Sequence, residues 1–210
     1  MVNASAEQPT ADPLTRRERR KLEVRNRILE AAVGLFETNG VANTTVAEIC
    51  GVADVAHKTF FNHYPSKQHL LDEIAEEFLE RFLAKIAESR ARRGSTQRKL
   101  TYLFEQVAIE AEASGPMHRE LVTEIISVAH ESGTDSEQAR KLHDAFGGLI
   151  TDGLAAGDLT RRHAPETLTE MVLGAYYVLI FDWALLADYP LRKRARAAAV
   201  FLGEAMAAKT

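Results

Sequence analysis

Residues 45–67 (TVAEICGVADVAHKTFFNHYPSK) constrain the fold most, because they combine two helical segments with a very short break. Thr45 and Glu48 have the spacing of a capping box, in which each side chain hydrogen-bonds the backbone amide of the other residue. A short helix is therefore predicted to begin near Thr45. Residues 52–55 interrupt the helical pattern, and a second helix is predicted over about 56–64. Two short helices joined by so tight a turn predict a helix-turn-helix unit.

The second of these helices has two different faces. Phe60 and Tyr64 are four residues apart and are predicted to anchor its inner face. The outward face is rich in hydrogen-bond donors and free of carboxylates, and it comprises His57, Lys58, Thr59, Phe61, Asn62 and His63. Such a face is suited to the edges of bases in a DNA groove.

The segment before this unit supports the same interpretation. Thr15 and Glu18 form a second capping box, and apolar residues recur at helical spacing up to Asn39, so a helix is predicted over about 16–38. Residues 15–27 hold seven basic and two acidic residues in a chain whose net charge is −4. Alone, this run would be read as a solvated helix face. Beside a helix-turn-helix unit, we interpret it as a surface that faces phosphates.

The three helices are predicted to share a small core, which comprises Leu29, Leu35, Phe36, Val46, Ile49, Val55, Phe60 and Tyr64. After Pro65, Ser66 can cap a long helix over 67–92, which is the predicted mechanical link to the rest of the chain. Further helices are predicted near 95–113, 116–131, from a capping box at Thr134 and Glu137 to about 156, 165–187 and 191–207. No strand-like alternation or repeat occurs, so the predicted fold is all-α with about nine helices.

Several classes of protein are excluded or disfavoured. The apolar run 171–187 is short for a bilayer crossing and contains Asp182, so we interpret it as a helix buried on more than one side, not as a membrane span. Residues 1–14 are predicted to be a disordered leader without the apolar run of a signal peptide. The single Cys50 fits a reducing cytoplasm, and we interpret it as a small core residue in preference to a redox sensor.

Catalytic and metal-binding patterns are not found in the sequence. The seven histidines do not form a cluster with ligand spacing, so we predict no metal and no cofactor. No nucleophile motif, phosphate-cradling glycine loop or paired carboxylate singles out an acid and a base. We therefore predict that the protein is not an enzyme.

Residues 45–67 closely resemble the helix-turn-helix of the TetR family of transcriptional regulators, without a gap and down to the final Phe, aromatic, Pro, Ser and Lys. Three positions depart from the family pattern. Asp54 replaces the usual turn glycine, and Asp tolerates left-handed backbone. Ala56 replaces a capping Ser or Thr, at a typical cost of about 1 kcal/mol. Phe61 replaces a Tyr whose hydroxyl contacts a phosphate in the family, so Phe61 can only pack against the DNA backbone.

This resemblance implies a division into a helix-turn-helix DNA-binding domain at 15–66 and a ligand-binding and dimerisation domain at 67–210. Base reading is assigned to the outward face of the second short helix, with Lys58 as the principal residue. Phosphate or minor-groove contacts are assigned to basic residues near the chain start and to residues that flank the two short helices. The predicted DNA-binding residues are Arg16, Arg17, Arg19, Arg20, Thr44, Thr45, His57, Lys58, Thr59, Phe61, Asn62, His63 and Lys67.

The resemblance also implies a homodimer and an effector cavity. The last two helices would form a four-helix bundle across a two-fold axis, which suits a pseudo-palindromic operator in double-stranded DNA. A small, mostly apolar effector would bind among the helices of the second domain, with His118, His130 or Tyr177 as polar anchors. Taken singly, each apolar residue there is interpreted as a plain core residue in preference to a ligand contact. The residues predicted to line the cavity are Phe82, Phe104, Met117, Ile125, His130, Phe146, Ile150, Met171, Tyr177 and Phe181.

The sequence thus predicts a cytoplasmic, ligand-responsive regulator, a repressor by expectation, that leaves its operator when an effector binds. The alternative is an α-helical small-molecule binding module without a regulatory role on DNA. Salt-dependent binding to a specific palindrome distinguishes the two.

Overall fold

A computed structural model describes residues 15–131 and 137–208, and side chains over 15–123 and 137–208. Within this part of the chain the fold is all-α, as predicted, and the only β-type pairing is a single bridge between Leu159 and Ala207. The nine helices of the described residues are α1 (Arg16–Asn39), α2 (Val46–Ala53), α3 (His57–His63), α4 (Lys67–Ala91), α5 (Thr96–Ala113), α6 (Pro116–Glu131), α7 (Glu137–Ala156), α8 (Pro165–Leu185) and α9 (Leu191–Ala205).

The starts of α1, α2 and α4 follow from local capping, as the sequence predicts. Thr15 and Thr45 both form complete capping boxes with the glutamate three residues later. Ser66 caps α4 by accepting from the amide of His69. The helix ends lie within about two residues of the predicted ones, and α8 stops at Leu185 instead of 187. The predicted cap Thr134 lies outside the described residues.

The N-terminal core is the cluster of buried residues that holds α1, α2 and α3 together. Four of its predicted members, Phe36, Ile49, Phe60 and Tyr64, are buried. The other four are only partly buried and pack against the cluster from its periphery: Leu29, Leu35, Val46 and Val55. The cluster also takes in Leu70, Leu71 and Ile74 of α4 and Met117 and Leu121 of α6.

The C-terminal core is a larger cluster formed by α4 to α9, with Phe104, Phe146 and Trp183 among its most buried members. Two helices, α4 and α6, contribute side chains to both cores: α4 places Leu79, Phe82 and Ile86 in the C-terminal core, and α6 places Val122 there. The sequence predicts the linking role of α4 but not that of α6. Both helices connect the two parts of the molecule.

Helix α8 is long and apolar enough to cross a membrane by length and composition alone, the single such case among the described helices. It packs against α6, α7 and α9 within the helical bundle. One of its faces nevertheless stays open, because Met171, Val178, Phe181 and Leu185 are 40–59% exposed.

Candidate DNA-binding surface and internal cavity

Helix α3 is fixed in place by its inner aromatics and by the turn before it. Phe60 is fully buried and Tyr64 is 3% exposed. Asp54 adopts the left-handed conformation (φ 50°, ψ 55°) and its amide closes α2 by donating to the carbonyls of Cys50 and Gly51. The turn therefore survives without the usual glycine, as predicted.

The outer face of α3 is presented to solvent as the sequence predicts. His57, Lys58, Phe61 and Asn62 are exposed, and Thr59 is partly exposed. The Phe61 ring stacks edge-on against Phe60 with a centroid distance of 5.4 Å, which fixes its direction. This face carries no carboxylate.

His63 lies at the end of α3 and is partly exposed. Burial lowers the pKa of its imidazole, and the nearby cations Lys21 and Arg25 lower it further. His63 is therefore a neutral hydrogen-bonding group at neutral pH, and it faces the basic side of α1.

Ala56 is the N-cap of α3, and no side chain caps this helix start. Its backbone (φ −70°, ψ 149°) has the extended conformation that capping residues adopt. The first turn of α3 therefore has backbone amides that no capping side chain accepts from.

The start of α1 presents Arg16, Arg17, Arg19 and Arg20, all exposed. No ion pair involves any of the four among the described residues, so their charges remain available. Hydrogen bonds from the side chain and backbone of Thr15 lower the pKa of Glu18, which keeps this carboxylate charged and locks the first turn.

The turn between α1 and α2 is clamped from two sides. The Lys67 ammonium donates to the carbonyls of Val41 and Thr44 at 2.8 and 2.9 Å. The Glu120 carboxylate of α6 accepts from the amides of Val41 and Ala42 at 2.7 and 3.1 Å. These two side chains fix the turn that leads into the helix-turn-helix unit.

This arrangement gives two predicted phosphate contacts a structural role. Thr44 is 1% exposed and its hydroxyl donates to the carbonyl of Gly40, so it presents no free hydroxyl to DNA. Lys67 uses two of its three hydrogens within the protein. Thr45 is exposed, but its hydroxyl is engaged by Glu48 at 2.7 Å. Sequence reasoning predicted the Thr45–Glu48 pair but missed the partners of Thr44 and Lys67, because those contacts are made only in the folded chain.

A cavity of about 470 Å³ opens between α4, α5, α6 and α8. Its inner wall is formed by Phe78, Phe82, Val107, Ala111, Met117, His118, Val122, Tyr176 and Ile180, and its outer part by Glu37, Arg81, Lys85, Glu110, Ala113 and Ser114. A smaller space of about 40 Å³ beside Tyr176 and Tyr177 shares Phe78, Phe82, Val122 and Ile180 with it.

The predicted effector-site residues fall into four groups in the structure. Phe82 and Met117 line the main cavity and Tyr177 the small space next to it. Phe104, Phe146 and Ile150 are at most 2% exposed in the closed core and line neither space. Met171 and Phe181 are on the open face of α8. The side chains of Ile125 and His130 lie outside the described residues.

His118 is the polar side chain at the inner end of the cavity. Its ring makes T-shaped contacts with Phe78 and Trp183 at centroid distances of 4.4 and 5.5 Å. Burial lowers the pKa of the imidazole to about 4, with a smaller contribution from Arg81 that is opposed by Glu110. The ring is therefore uncharged at neutral pH.

Most of the lining residues were missed from the sequence, and Arg81, Lys85 and Tyr176 illustrate why. Arg81 and Lys85 are four residues apart on α4 and look like an ordinary solvated face, while Lys85 pairs with Glu110 at 2.5 Å. Tyr176 stacks on Phe82 at 4.7 Å, a contact that no sequence spacing indicates. No group of three or more metal-ligating side chains occurs in the described part of the chain.

Sequence comparison relates part of this chain to known proteins. The family model described as bacterial regulatory proteins, tetR family, matches residues 28–74. The HTH-type transcriptional repressor KstR2 of Rhodococcus jostii (strain RHA1) is 31% identical over 80 residues, which are 38% of this chain and 37% of that repressor. The match thus spans little more than a third of this curated relative.

Solved structures are similar over most of the chain. A TetR transcription regulator from Haloarcula marismortui superposes with a TM-score of 0.72 at 19% identity, covering 89% of this chain and 100% of that one. Thermus thermophilus FadR, a transcriptional repressor solved with lauroyl-CoA, gives 0.63 at 23% identity, covering 89% and 96%. These likenesses show the fold.

Proposed function

We propose that this chain, which has a TetR-family DNA-binding domain and the fold of TetR-family regulators, is a ligand-responsive transcriptional regulator. It binds a pseudo-palindromic operator as a homodimer and is released by a small molecule. The observation that carries the proposal is the outer face of α3: a short helix held rigidly by Phe60 and presenting donors without any carboxylate. Such a face fits the major groove.

Base reading is assigned to His57, Lys58, Thr59 and Asn62, with His63 at the margin. Lysine donates to guanine, and asparagine can pair with both groove atoms of adenine. Phe61, which is 49% exposed, packs against the sugar-phosphate backbone without a hydroxyl contact. The exposed arginines at the start of α1 supply phosphate or minor-groove contacts, which are independent of sequence and sensitive to salt. Thr44, Thr45 and Lys67 shape the flanking turn through their hydrogen bonds within the protein.

The dimer is assigned to α8 and α9. On α8 the exposed positions Met171, Gly174, Val178, Phe181 and Leu185 follow a spacing of three and four residues along one face. This is the pattern of a helix that packs against another helix. Phe201 of α9, 67% exposed, continues the apolar surface. A second copy of the chain covers this face and sets the distance between the two α3 helices.

The effector is assigned to the cavity beside His118. Because α4 and α6 line this cavity and also enter the N-terminal core, an occupant that moves either helix alters the position of α3. Half-sites one helical turn apart, near 34 Å, fit one spacing of the two recognition helices. Displacement by a few ångströms therefore favours release. The FadR structure with lauroyl-CoA is a case of a small molecule bound to this fold.

We assign a repressor role because the curated relative is a repressor. We place the protein in the cytoplasm, where operator DNA and effector meet. Regulation, not catalysis, is the role that these surfaces support.

Selection of bound sequences from random DNA tests the proposal. We expect a pseudo-palindrome with half-sites about one helical turn apart, and binding that weakens steeply with added salt. A protein that enriches no sequence, while still binding small molecules in the cavity, would instead be the binding module without a regulatory role.

A further inference from the structure

The cavity contains hydrogen-bonding groups that the protein itself does not use. Neither ring nitrogen of His118 has a hydrogen bond to any of the described residues, and its neighbours Phe78 and Trp183 contact it through rings. A neutral imidazole offers one donor and one acceptor. The Tyr176 hydroxyl, whose pKa is raised by burial, likewise has no hydrogen bond within the described part of the chain. Both groups border the same space.

Formal charges are confined to the outer part of the cavity. Glu37, Arg81 and Glu110 are exposed, and Lys85 is neutralised by its ion pair with Glu110. Two acids and two bases surround the opening, so it favours neither sign of ligand charge. A charged group placed beside His118 would lose its hydration without a counter-ion. The inner cavity therefore favours an uncharged ligand.

The inner wall favours flat rings. Phe82 and Tyr176 are stacked with an interplanar angle of 13°, and Phe78 stands edge-on to His118. Aromatic walls of this kind bind other aromatic rings through offset or edge contacts. The volume of about 470 Å³ lies within the range of small-molecule sites.

We propose that the cavity binds an uncharged aromatic compound whose hydroxyl or carbonyl group hydrogen-bonds to His118 and whose rings pack against Phe82 and Tyr176. The proposal rests on the proposed function, because it assigns the chemical class of the effector for that same site.

Three bicyclic probes of matched shape test the class by equilibrium dialysis against the full-length protein at neutral pH. 2-Naphthol is uncharged and carries a hydroxyl, naphthalene lacks the hydroxyl, and 2-naphthalenesulfonate is an anion. We expect 2-naphthol to bind about tenfold more tightly than either of the others, since leaving a buried polar group unpaired or burying a charge costs on the order of that factor.

His118→Phe tests the residue, because phenylalanine keeps a ring between Phe78 and Trp183 and removes both nitrogens. We expect this variant to bind 2-naphthol about tenfold more weakly and naphthalene as the unchanged protein does. His118→Asn, which retains a donor and an acceptor, should recover part of the preference. The matched control is His143→Phe on α7, a partly exposed histidine that does not line the cavity.

The emission of Trp183, the single tryptophan in the chain, reports where the probe binds because its ring lies against His118. Equal binding of the sulfonate, no binding of 2-naphthol up to its solubility, or an unaltered 2-naphthol affinity in His118→Phe would overturn the proposal. None of these measurements involves DNA. If the cavity shows the expected preference but the protein binds no operator, the proposed regulatory function is wrong. If the protein binds an operator but the cavity does not distinguish the three probes, only the proposed ligand class is wrong.

Discussion

At the scale of single residues, the proposed function assigns base reading to the outer face of α3 and sequence-independent contacts to the start of α1. Lys58 is exposed on that face and has no ion pair among the described residues, so its ammonium is free to meet a base edge. Arg16 is exposed at the start of α1, on a different helix from the proposed base-reading residues. The two cations should therefore respond differently to substitution.

We expect Lys58→Ala to weaken binding to the selected operator by about 1–3 kcal/mol and to relax selectivity at one base pair. Arg16→Ala is the matched comparison. It should weaken binding to all sequences alike and reduce the salt slope by about one. Gel-shift titrations at several salt concentrations, on the operator and on single-base variants, measure both effects. An unchanged affinity and base preference in Lys58→Ala would show that Lys58 does not read a base.

Ala56 is the weakest point of the recognition helix, because it is an N-cap without a side-chain acceptor. Ala56→Ser introduces a hydroxyl that can accept a hydrogen bond from a backbone amide in the first turn of α3, without altering the extended backbone at residue 56. We expect a gain of about 1 kcal/mol in the free energy of unfolding, measured by urea denaturation. Ala56→Val is the control, since valine also enlarges the side chain at this exposed position but supplies no acceptor. If Ser and Val had the same effect, the missing cap would not limit stability.

At the scale of elements, the turn between α1 and α2 shows how the two parts of the chain communicate. Lys67 of α4 donates hydrogen bonds to carbonyls of this turn, and Glu120 of α6 accepts hydrogen bonds from amides of the same turn. Both helices also border the cavity, through Phe82 and His118 respectively. An occupant of the cavity therefore acts on the helix-turn-helix unit through two helices.

Removal of the Glu120 carboxylate should uncouple α6 from this turn. We expect Glu120→Ala to lower the free energy of unfolding by about 1–3 kcal/mol, because two amides lose a charged acceptor. Operator affinity should fall as well, since Thr45 and α2 follow the loosened turn. Thr123→Ala on the same helix is the control: its exposed hydroxyl bonds only the carbonyl of Arg119. Equal stability of the two variants would show that the Glu120 carboxylate does not stabilise the turn between α1 and α2.

The helices themselves could be predicted from the sequence because their signals are local. The capping boxes at Thr15 and Thr45, the left-handed Asp54 and the cap Ser66 all act within a few residues. The clamp could not be predicted in the same way. Glu120 is 79 and 78 residues from the amides that it accepts, and no spacing in the chain relates them.

The cavity was only partly predictable for a different reason. Hydrophobicity places a side chain away from water but does not say whether a neighbour, a cavity or a second subunit covers it. Phe146 in the closed core, Phe82 at the cavity and Phe181 on an open face are equivalent as sequence. Only the way in which the helices pack around each of these three residues distinguishes them.

At the scale of the whole molecule, the proposed dimer depends on the open apolar face of α8 and α9. Helix α8 leaves Val178 59% exposed, and α9 leaves Phe201 67% exposed. An exposed apolar surface along two neighbouring helices is typical of a protein interface. If two copies meet there, each copy contributes one α3, and operator affinity depends on both being held together.

Charges in this face should separate the two copies. We expect the double variant Val178→Glu, Phe201→Glu to be monomeric by sedimentation, because two-fold symmetry brings the new carboxylates close to their own copies. Affinity for the full operator should fall on the order of 100-fold or more, whereas affinity for an isolated half-site should stay that of the unchanged chain. Ile109→Glu on α5, an exposed apolar residue outside this face, is the control and should remain dimeric. A double variant that stayed dimeric would place the interface elsewhere, and one that bound the half-site weakly would point to damage in the helix-turn-helix unit instead.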